Sequence, residues 1–170
     1  MIFQDIEFMR EALGCAEQAL LEGEVPVGAV LVLDGAIVGR GWNRGRITHD
    51  PTAHAEMMAI RTAAAGKENY RLEKAILYVT LEPCFMCFGA MLEGRISRLV
   101  YATREPRRGV LGSLYDLHND PRLHHHMDVA SGILEAESQR LLKDYFAKKR
   151  EEGSKESFSE LLRSSSLGER

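Results

Sequence analysis

At its middle the chain reads Pro83-Cys84-Phe85-Met86-Cys87, with two thiols three positions apart directly after a proline. A proline is favoured at the start of a helix, and side chains three positions apart lie on the same side of it. Both sulfurs can therefore reach one metal ion, and the positive end of the helix dipole favours their ionised, metal-binding form. The run predicts half of a zinc site in the first turn of a helix.

The rest of that site is predicted upstream, in His54-Ala55-Glu56. With His54 as third ligand, the fourth tetrahedral position stays open for water, which distinguishes a catalytic zinc from a closed structural one. Glu56 then supplies a carboxylate that can move a proton to and from this water. Positions i and i+2 point about 200° apart on a regular helix, so both side chains can face one pocket only at a helix N-terminus. Thr52 is the predicted N-cap of that helix.

Composition places the chain among ordinary globular proteins and predicts one domain, with 170 residues, 45% hydrophobic and 28% charged. The net charge of −3 excludes a general attraction to nucleic acid, so any RNA contact must use local basic patches. No apolar run approaches the ~18 residues of a membrane span, and the N-terminus lacks the pattern of a signal peptide. Three cysteines, with Cys15 predicted as a buried core thiol, fit a reducing compartment. We expect a cytoplasmic protein with no membrane partner.

Apolar periodicity and turn residues predict strands that alternate with helices. Asp34-Gly35 supplies the positive φ angles of a tight hairpin turn, and the continuous apolar run 75–80 predicts a strand covered on both faces. The predicted elements are helix 6–22, strands 25–33 and 36–41, loop 43–51, helix 53–65, strand 75–80, helix 84–93, strand 98–102, loop 103–122, strand 127–131 and helix 132–150. This order predicts an α/β fold whose sheet is partly parallel after the opening hairpin and carries helices on both faces.

The composition changes after residue 150, where Ser, Glu, Lys and Gly become frequent. Such a segment buries too little apolar surface to offset the entropy of ordering it. We therefore expect one folded domain over 1–150 and a disordered tail over 151–170.

The combination of His-x-Glu with Pro-Cys-x-x-Cys matches the motif of zinc-dependent nucleobase deaminases, whereas a lone Cys-x-x-Cys also fits a structural half-site or a redox pair. Over about 6–150 the chain resembles the bacterial tRNA-specific adenosine deaminases of the cytidine deaminase-like superfamily. The stretches that carry the resemblance most specifically are Glu24-Val25-Pro26-Val27-Gly28-Ala29-Val30, Gly41-Trp42-Asn43-Arg44, His49-Asp50-Pro51-Thr52-Ala53-His54-Ala55-Glu56 and Thr80-Leu81-Glu82-Pro83-Cys84. The resemblance implies a three-layer cytidine deaminase-like fold with a central mixed five-stranded sheet, and a zinc-dependent deaminase domain over 1–150.

The resemblance also implies an activity, the conversion of adenosine to inosine at the wobble position of tRNA, chiefly of an arginine tRNA. The expected partners are a tRNA anticodon stem-loop and a second copy of the chain, since the family works as homodimers with one Zn²⁺ per subunit. Position by position, His54, Cys84 and Cys87 match the zinc ligands. Glu56 matches the proton shuttle between the zinc-bound hydroxide and the base. The expected substrate contacts are Asn43, Val27, Ala55, Arg104, Glu105 and Phe146.

Three residues depart from the family pattern. Glu105 stands where many relatives have Asp beside the target ribose, so its reach to a 2′-hydroxyl differs by a methylene. His124 replaces an Asn that is common before the following histidine, and Phe88 occupies a position where a small residue is usual. None of the three belongs to the predicted metal chemistry.

Several other side chains have both a functional and a purely structural interpretation. Trp42 fits core packing better than base stacking, and His49 fits a turn or cap better than a fourth zinc ligand. The tract His124-His125-His126 fits a surface loop better than a metal site. The following basic residues are candidate phosphate contacts, with solvated surface charge as the alternative: Arg104, Arg107, Arg108, Lys148, Lys149 and Arg150.

Three other functions stay open at this point. A free-base guanine deaminase of the same superfamily has very similar zinc motifs, although Thr80-Leu81-Glu82 and the basic, aromatic last helix argue against it. Small pyrimidine and riboflavin-pathway deaminases fit less well, because the latter carry a longer insertion between the two cysteines. A catalytically silent zinc module that binds RNA or a partner has no need of Glu56.

Overall fold

The computed structural model describes residues 2–165, with side chains described for 2–152. Within that range the chain forms five strands and five helices. In chain order they are α1 (Ile2–Leu21), β1 (Gly28–Leu33), β2 (Ala36–Trp42), α2 (Gly45–Thr48), α3 (Ala55–Lys67), β3 (Ile76–Leu81), α4 (Phe85–Glu93), β4 (Arg98–Thr103), β5 (Asp128–Ser131) and α5 (Glu135–Ser165).

The strands form one mixed sheet in the order β2-β1-β3-β4-β5. The hairpin β1–β2 is antiparallel and turns at Asp34 and Gly35, whose φ angles of 49° and 77° are those the turn requires. Strand β1 also pairs antiparallel with β3, after which β3, β4 and β5 run parallel. The predicted mixed five-stranded sheet, parallel after its opening hairpin, is confirmed.

Two apolar layers sandwich this sheet, because successive side chains of a strand point to opposite faces. On one face α1 and the residues leading into α5 cover side chains such as Val30, Tyr78 and Val100. On the other face α3 and α4 cover Leu31 and Leu77 together with their same-face neighbours. The three-layer α/β architecture predicted from the alternation of elements is therefore confirmed.

Glycines in the first two strands allow helices to pack directly on strand backbone. A Cβ atom at Gly28 in β1 would overlap the main chain of α1, and one at Gly41 in β2 would overlap the carbonyl of Ala55. The first turn of α3 therefore lies against the end of β2, next to Asn43. This close approach sets where His54 and Glu56 stand relative to the sheet.

Several boundaries differ from the sequence prediction. Helix α1 begins at Ile2 rather than residue 6, and a short helix, α2, lies within the segment predicted as a loop. Helix α5 begins at Glu135 rather than residue 132, because the chain turns through positive φ angles at Gly132 and Leu134 before the helix starts.

The predicted N-cap of α3 is wrong. Thr52 donates its hydroxyl and its backbone N–H to Asp50 Oδ1, at 2.6 Å and 2.8 Å, so it belongs to a turn before the helix. The helix begins at Ala55 with His54 in the N-cap position, where the histidine makes no side-chain capping bond. Similarly, α4 begins one residue later than predicted, with Cys84 at its N-cap.

The last helix is longer than the sequence indicates. The prediction ends it at residue 150 and follows it with a disordered tail, whereas α5 continues to Ser165. Residues 166–170 lie outside the described residues, and the division of the chain at residue 150 stays a prediction. Among the described residues no helix is both long enough and apolar enough to cross a membrane.

A nearly buried ion pair ties α1 to the parallel part of the sheet. Asp5, only 4% exposed, accepts two hydrogen bonds from the Arg98 guanidinium at 2.7 Å and 2.9 Å, and one from the Tyr78 hydroxyl at 2.8 Å. These bonds, led by that from Arg98, hold the pKa of Asp5 below its ordinary value of 3.8. The pair joins α1 to β3 and β4.

We expect Asp5→Asn to lower the free energy of unfolding by about 3 kcal/mol at neutral pH, because it leaves the Arg98 guanidinium without its counter-charge. Because the pKa of Asp5 is lowered in the folded state, its contribution is complete above 3.8 and is lost as the pH falls through the folded-state pKa. Urea unfolding of both proteins over a descending pH series measures the difference, which should shrink on acidification. Equal stability at neutral pH would contradict the assignment, and so would a difference that persists at the acid end.

Candidate active site

Two helix N-termini meet and bring three metal-binding side chains together. His54 precedes α3, Cys84 precedes α4, and Cys87 lies in the first turn of α4. The His54 Nδ1 atom lies 3.7 Å from the Cys84 sulfur and 3.5 Å from the Cys87 sulfur, and the two sulfurs are 3.7 Å apart. Within the part of the chain that the structure describes, no other three His, Cys, Asp or Glu side chains form such a group.

These separations fit a tetrahedral zinc ion. With Zn–S bonds of about 2.3 Å and Zn–N bonds of about 2.0–2.1 Å, tetrahedral angles require about 3.8 Å between two sulfurs and about 3.5 Å between sulfur and nitrogen. The observed triangle of ligand atoms has these dimensions before any ion is placed in it. Three ligands of this kind leave the fourth position open, as in catalytic zinc sites.

The electrostatics of the triangle favour an ionised sulfur. A hydrogen bond from the Cys87 thiol, joined by one from His54, lowers the pKa of the Cys84 thiol to about 3. The Cys87 thiol keeps its proton, since that hydrogen bond and its burial raise its pKa, and Cys84 raises the pKa of His54 in turn. These interactions favour the ionised form of one sulfur, and binding a metal ion releases the remaining protons.

Glu56 stands beside this triangle in the first turn of α3. Its side chain is only 4% exposed, and burial raises the pKa of its carboxyl group. His54 and Glu56 line the same cavity although they are two positions apart, which is the arrangement expected only at a helix N-terminus. A carboxyl group whose pKa is raised in this way accepts a proton more readily and can return it, as a general acid–base group must.

A cavity of about 440 Å³ opens over these residues. Eight of the ten predicted site residues line it, and the other two, Cys87 and Ala55, are fully buried beneath it. The eight lining residues are Val27, Asn43, His54, Glu56, Cys84, Arg104, Glu105 and Phe146. The structure thus gathers residues from six separate parts of the chain around one opening.

Asn43 lies on the cavity wall with its amide group held by backbone atoms. Its Oδ1 accepts a hydrogen bond from the Ala55 N–H at 3.1 Å, and its Nδ2 donates to the Val25 carbonyl at 3.2 Å. The Asn43 N–H also donates to the Val27 carbonyl at 3.1 Å. The second hydrogen of the Asn43 amide stays available in this arrangement for a bound ligand.

The rim of the cavity carries charge and an aromatic ring. Arg104 is exposed and donates from Nη1 to the Gly112 carbonyl at 2.8 Å, while Glu105 accepts from the Arg107 N–H at 3.0 Å. Phe146 is partly exposed and packs edge-on against Tyr145, with ring centroids 5.3 Å apart. Base stacking and phosphate contact are both chemically possible at such a rim.

Two buried carboxylates at the cavity have no role in the sequence prediction. Glu24 accepts hydrogen bonds from the N–H groups of Arg46 and Ile47 at 2.7 Å and 2.8 Å. Glu82 accepts several bonds from the segment after β4 and is equally buried. In the sequence, each of the two is marked only as a charged residue close to a predicted buried strand. Such a position is unusual for a charged residue, because burying an unpaired charge is costly.

The structural interpretations of several other side chains hold. His49 is exposed and adopts a left-handed conformation, with φ of 54°, at the end of α2. Trp42 is half-buried and packs against the α1 side of the core, and Cys15 is a buried thiol of the same layer.

The histidine tract and Phe88 also prove structural. His125 donates from Nε2 to the Ile96 carbonyl at 2.7 Å, while His124 and His126 are exposed. Phe88, the bulky residue after Cys87, is buried in the core between α4 and the sheet. The extra volume is therefore accommodated behind the metal site rather than in it.

Comparison with known proteins places the chain among deaminases. Residues 3–103 match the family described as the cytidine and deoxycytidylate deaminase zinc-binding region. The chain is 47% identical over 149 residues to a tRNA-specific adenosine deaminase of Haemophilus influenzae, an alignment that covers 87% of this chain and 86% of that protein. The family description and the His54, Cys84 and Cys87 triangle together confirm zinc as the cofactor.

Solved structures lead to the same group. A structure from a study of A-to-I editing by tRNA:A34 deaminases at the wobble position superposes with a TM-score of 0.77 and 46% identity, covering 80% of this chain and 99% of that chain. A guanine deaminase of Bacillus subtilis superposes with a TM-score of 0.57 and 34% identity, covering 72% and 81%. The similarity to the tRNA:A34 deaminase is the stronger in both sequence and structure.

We expect Cys87→Ala to lose zinc during purification, because the two remaining ligands, His54 and Cys84, hold the ion far more weakly than three ligands do. The wild-type protein should contain about one zinc per chain by elemental analysis. Cys15→Ala is the matched control, since Cys15 is also a buried thiol but lies in α1, away from the triangle. Full zinc content in Cys87→Ala, or equal loss in both variants, would remove Cys87 from the ligand set.

Proposed function

Since the chain belongs to the tRNA-specific adenosine deaminases, within the cytidine and deoxycytidylate deaminase family, we propose that it converts the wobble adenosine of tRNA, chiefly of an arginine tRNA, to inosine. The observation that carries the proposal is the open His54, Cys84 and Cys87 triangle with Glu56 buried beside it in one cavity. That arrangement supports hydrolysis, since a closed structural metal site needs neither an open position nor a carboxylate next to it.

The reaction replaces the amino group at C6 of adenine with oxygen and releases ammonia. Zinc, when held by His54, Cys84 and Cys87, supplies a water whose pKa is lowered toward neutrality. Glu56 accepts a proton from this water and donates it to adenine N1. The water oxygen bonds to C6 as N1 is protonated, so that C6 carries both a hydroxyl and an amino group. Glu56 then takes the proton of this hydroxyl and transfers it to the exocyclic nitrogen, which leaves as ammonia when the C6–N bond breaks and the C6 carbonyl forms. The burial of Glu56 helps it retain a proton between these two steps.

The depth of the site favours a base that is already unpaired. Cys87 and Glu56 are buried, so the reacting carbon must leave its base stack and enter the cavity. Extrusion costs least in a single-stranded loop such as an anticodon loop. Asn43, with one amide hydrogen left over, and Val27 are proposed to contact the inserted base, with Ala55 supporting Asn43 through its N–H.

The rim is proposed to contact the rest of the RNA loop. Arg104 and Arg108 line the cavity and are exposed, which suits contact with phosphates next to the target nucleotide. Phe146 offers a partly exposed ring for stacking, and Glu105 offers a carboxylate for the ribose hydroxyl. The following residues are further candidates for phosphate contact: Arg107, Lys148, Lys149 and Arg150.

The proposed function is tested by single-turnover deamination with zinc-loaded protein, offered an arginine-tRNA anticodon hairpin with a wobble adenosine, free adenosine, and guanine. We expect inosine in the hairpin and no xanthine from guanine. Glu56→Gln is the control, because it should retain zinc yet lose about 10²–10⁴-fold in rate. Xanthine from guanine with an untouched hairpin would establish the guanine deaminase alternative. Near-native turnover by Glu56→Gln would show that Glu56 is not the proton shuttle.

We also propose that the chain acts as a homodimer in the cytoplasm, where a reducing environment keeps the cysteine ligands free. An exposed apolar cluster supports an interface between subunits: Phe85, Leu114 and Tyr115 are each 51% exposed, and the rings of Phe85 and Tyr115 pack 4.9 Å apart. Contiguous apolar surface of this kind commonly marks a protein contact.

Sedimentation equilibrium at micromolar concentration should show a dimer. Phe85→Glu should shift the equilibrium toward monomer, because the dimer contact would then bury a charge. Tyr70→Glu is the control, because Tyr70 is an exposed aromatic residue outside this cluster. A wild-type monomer would refute the dimer, and a dimer unaffected by Phe85→Glu would place the contact elsewhere.

A further inference from the structure

Glu82 is a buried carboxylate that the proposed reaction does not use. It directly follows β3, one residue before Pro83, and is only 3% exposed. Its Oε1 accepts from the N–H groups of Leu111 at 2.8 Å and Ser113 at 3.2 Å. Its Oε2 accepts from the Glu105 N–H at 3.1 Å and from the Ser113 hydroxyl.

All of these donors belong to one segment, 105–113, which follows β4 and has no regular structure over most of its length. The segment passes so close to the carboxylate that a Cβ atom at Gly109 would overlap it. A further bond from the Val110 N–H to the Pro83 carbonyl, at 3.1 Å, joins the same segment to the zinc motif. The loop is thus wrapped around a single buried carboxylate.

The same segment forms one wall of the cavity. Glu105 and Arg108 line the opening, and Arg104, which precedes the segment, bonds to the Gly112 carbonyl within it. Val110 and Leu111 anchor the far end of the segment in the core, whereas residues 105–109, which face the cavity, contribute no buried apolar side chain, so their position depends on the bonds they make. Bonds to an ionised acceptor are about twice as strong as bonds between neutral groups.

We propose that Glu82 is a positioning residue: it holds segment 105–113 against the zinc motif, so that Arg104, Glu105 and Arg108 meet the RNA in a preformed arrangement. Glu82 touches neither the base nor the metal ligands, and it acts through the loop. The effect of Glu82 on catalysis rests on the proposed RNA substrate. The effect of Glu82 on the position of segment 105–113 is independent of any substrate.

The Glu82→Gln variant tests the proposal with the full-length, zinc-loaded protein. The amide keeps the shape of the side chain but replaces one acceptor oxygen with a donor, which then faces the loop's own N–H or O–H groups. We expect trypsin cleavage after Arg107 and Arg108, located by fragment mass, to accelerate about tenfold or more as the loop opens. With the hairpin substrate, KM should rise about tenfold while kcat stays within about threefold, because the catalytic groups are not displaced.

Glu24→Gln is the matched control, because Glu24 is an equally buried carboxylate that holds a different segment, the short helix α2, through the N–H groups of Arg46 and Ile47. That variant should accelerate cleavage after Arg46 and leave cleavage after Arg107 and Arg108 unchanged. Ser113→Ala removes a single donor to Glu82 and should loosen the same loop by about threefold. It gives a second test if the Glu82→Gln protein does not fold.

Cleavage rates that stay at the wild-type value in Glu82→Gln would overturn the proposal, and so would equal acceleration at Arg46, which indicates general destabilisation. A loosened loop with an unchanged KM would overturn the claim that the loop position matters for RNA. If the wild-type protein does not deaminate the hairpin, the proposed function fails, while the proteolysis result still decides whether Glu82 holds the loop.

Discussion

The N-termini of α3 and α4 must point at one position in space, and most of the fold serves that requirement. Helix α3 is set by its close approach to β2, which the missing side chains of Gly39 and Gly41 allow. Helix α4 is set by β3, which ends immediately before the Pro83-Cys84 turn. Because β1 pairs with both β2 and β3, the sheet fixes the distance between the two helix starts. The ligand triangle is a consequence of sheet geometry rather than of any local loop.

Around this centre, two buried carboxylates organise the two irregular segments of the cavity wall. Glu24 holds the start of α2, and Glu82 holds the segment after β4. In each case the buried carboxylate is matched by backbone N–H groups, with the Ser113 hydroxyl added at Glu82, rather than by a cation, so the bonds order main chain. The metal centre is thereby joined to the two neighbouring segments of the cavity wall.

The chemistry of the site is easier to predict from sequence than its surroundings. The spacing of Cys84 and Cys87, and the need for His54 and Glu56 to share a pocket, follow from helix geometry, so the N-terminal placement was predictable. The N-cap was predicted incorrectly because Thr52 is bound by Asp50, a local competition that residue type alone does not decide. The roles of Glu24 and Glu82 depend on irregular segments far away in sequence, which no periodicity describes. The continuation of α5 past residue 150 could not be predicted either, because the composition of that segment indicates disorder.

Zinc X-ray absorption spectroscopy of the purified protein decides whether this centre has an open coordination position. We predict two sulfur neighbours at about 2.3 Å and two nitrogen or oxygen neighbours at about 2.0–2.1 Å, with multiple scattering from a single imidazole, which leaves one position for water. Three or more sulfurs, or two imidazoles, would describe a closed site. That result would contradict the assignment of this centre to catalysis.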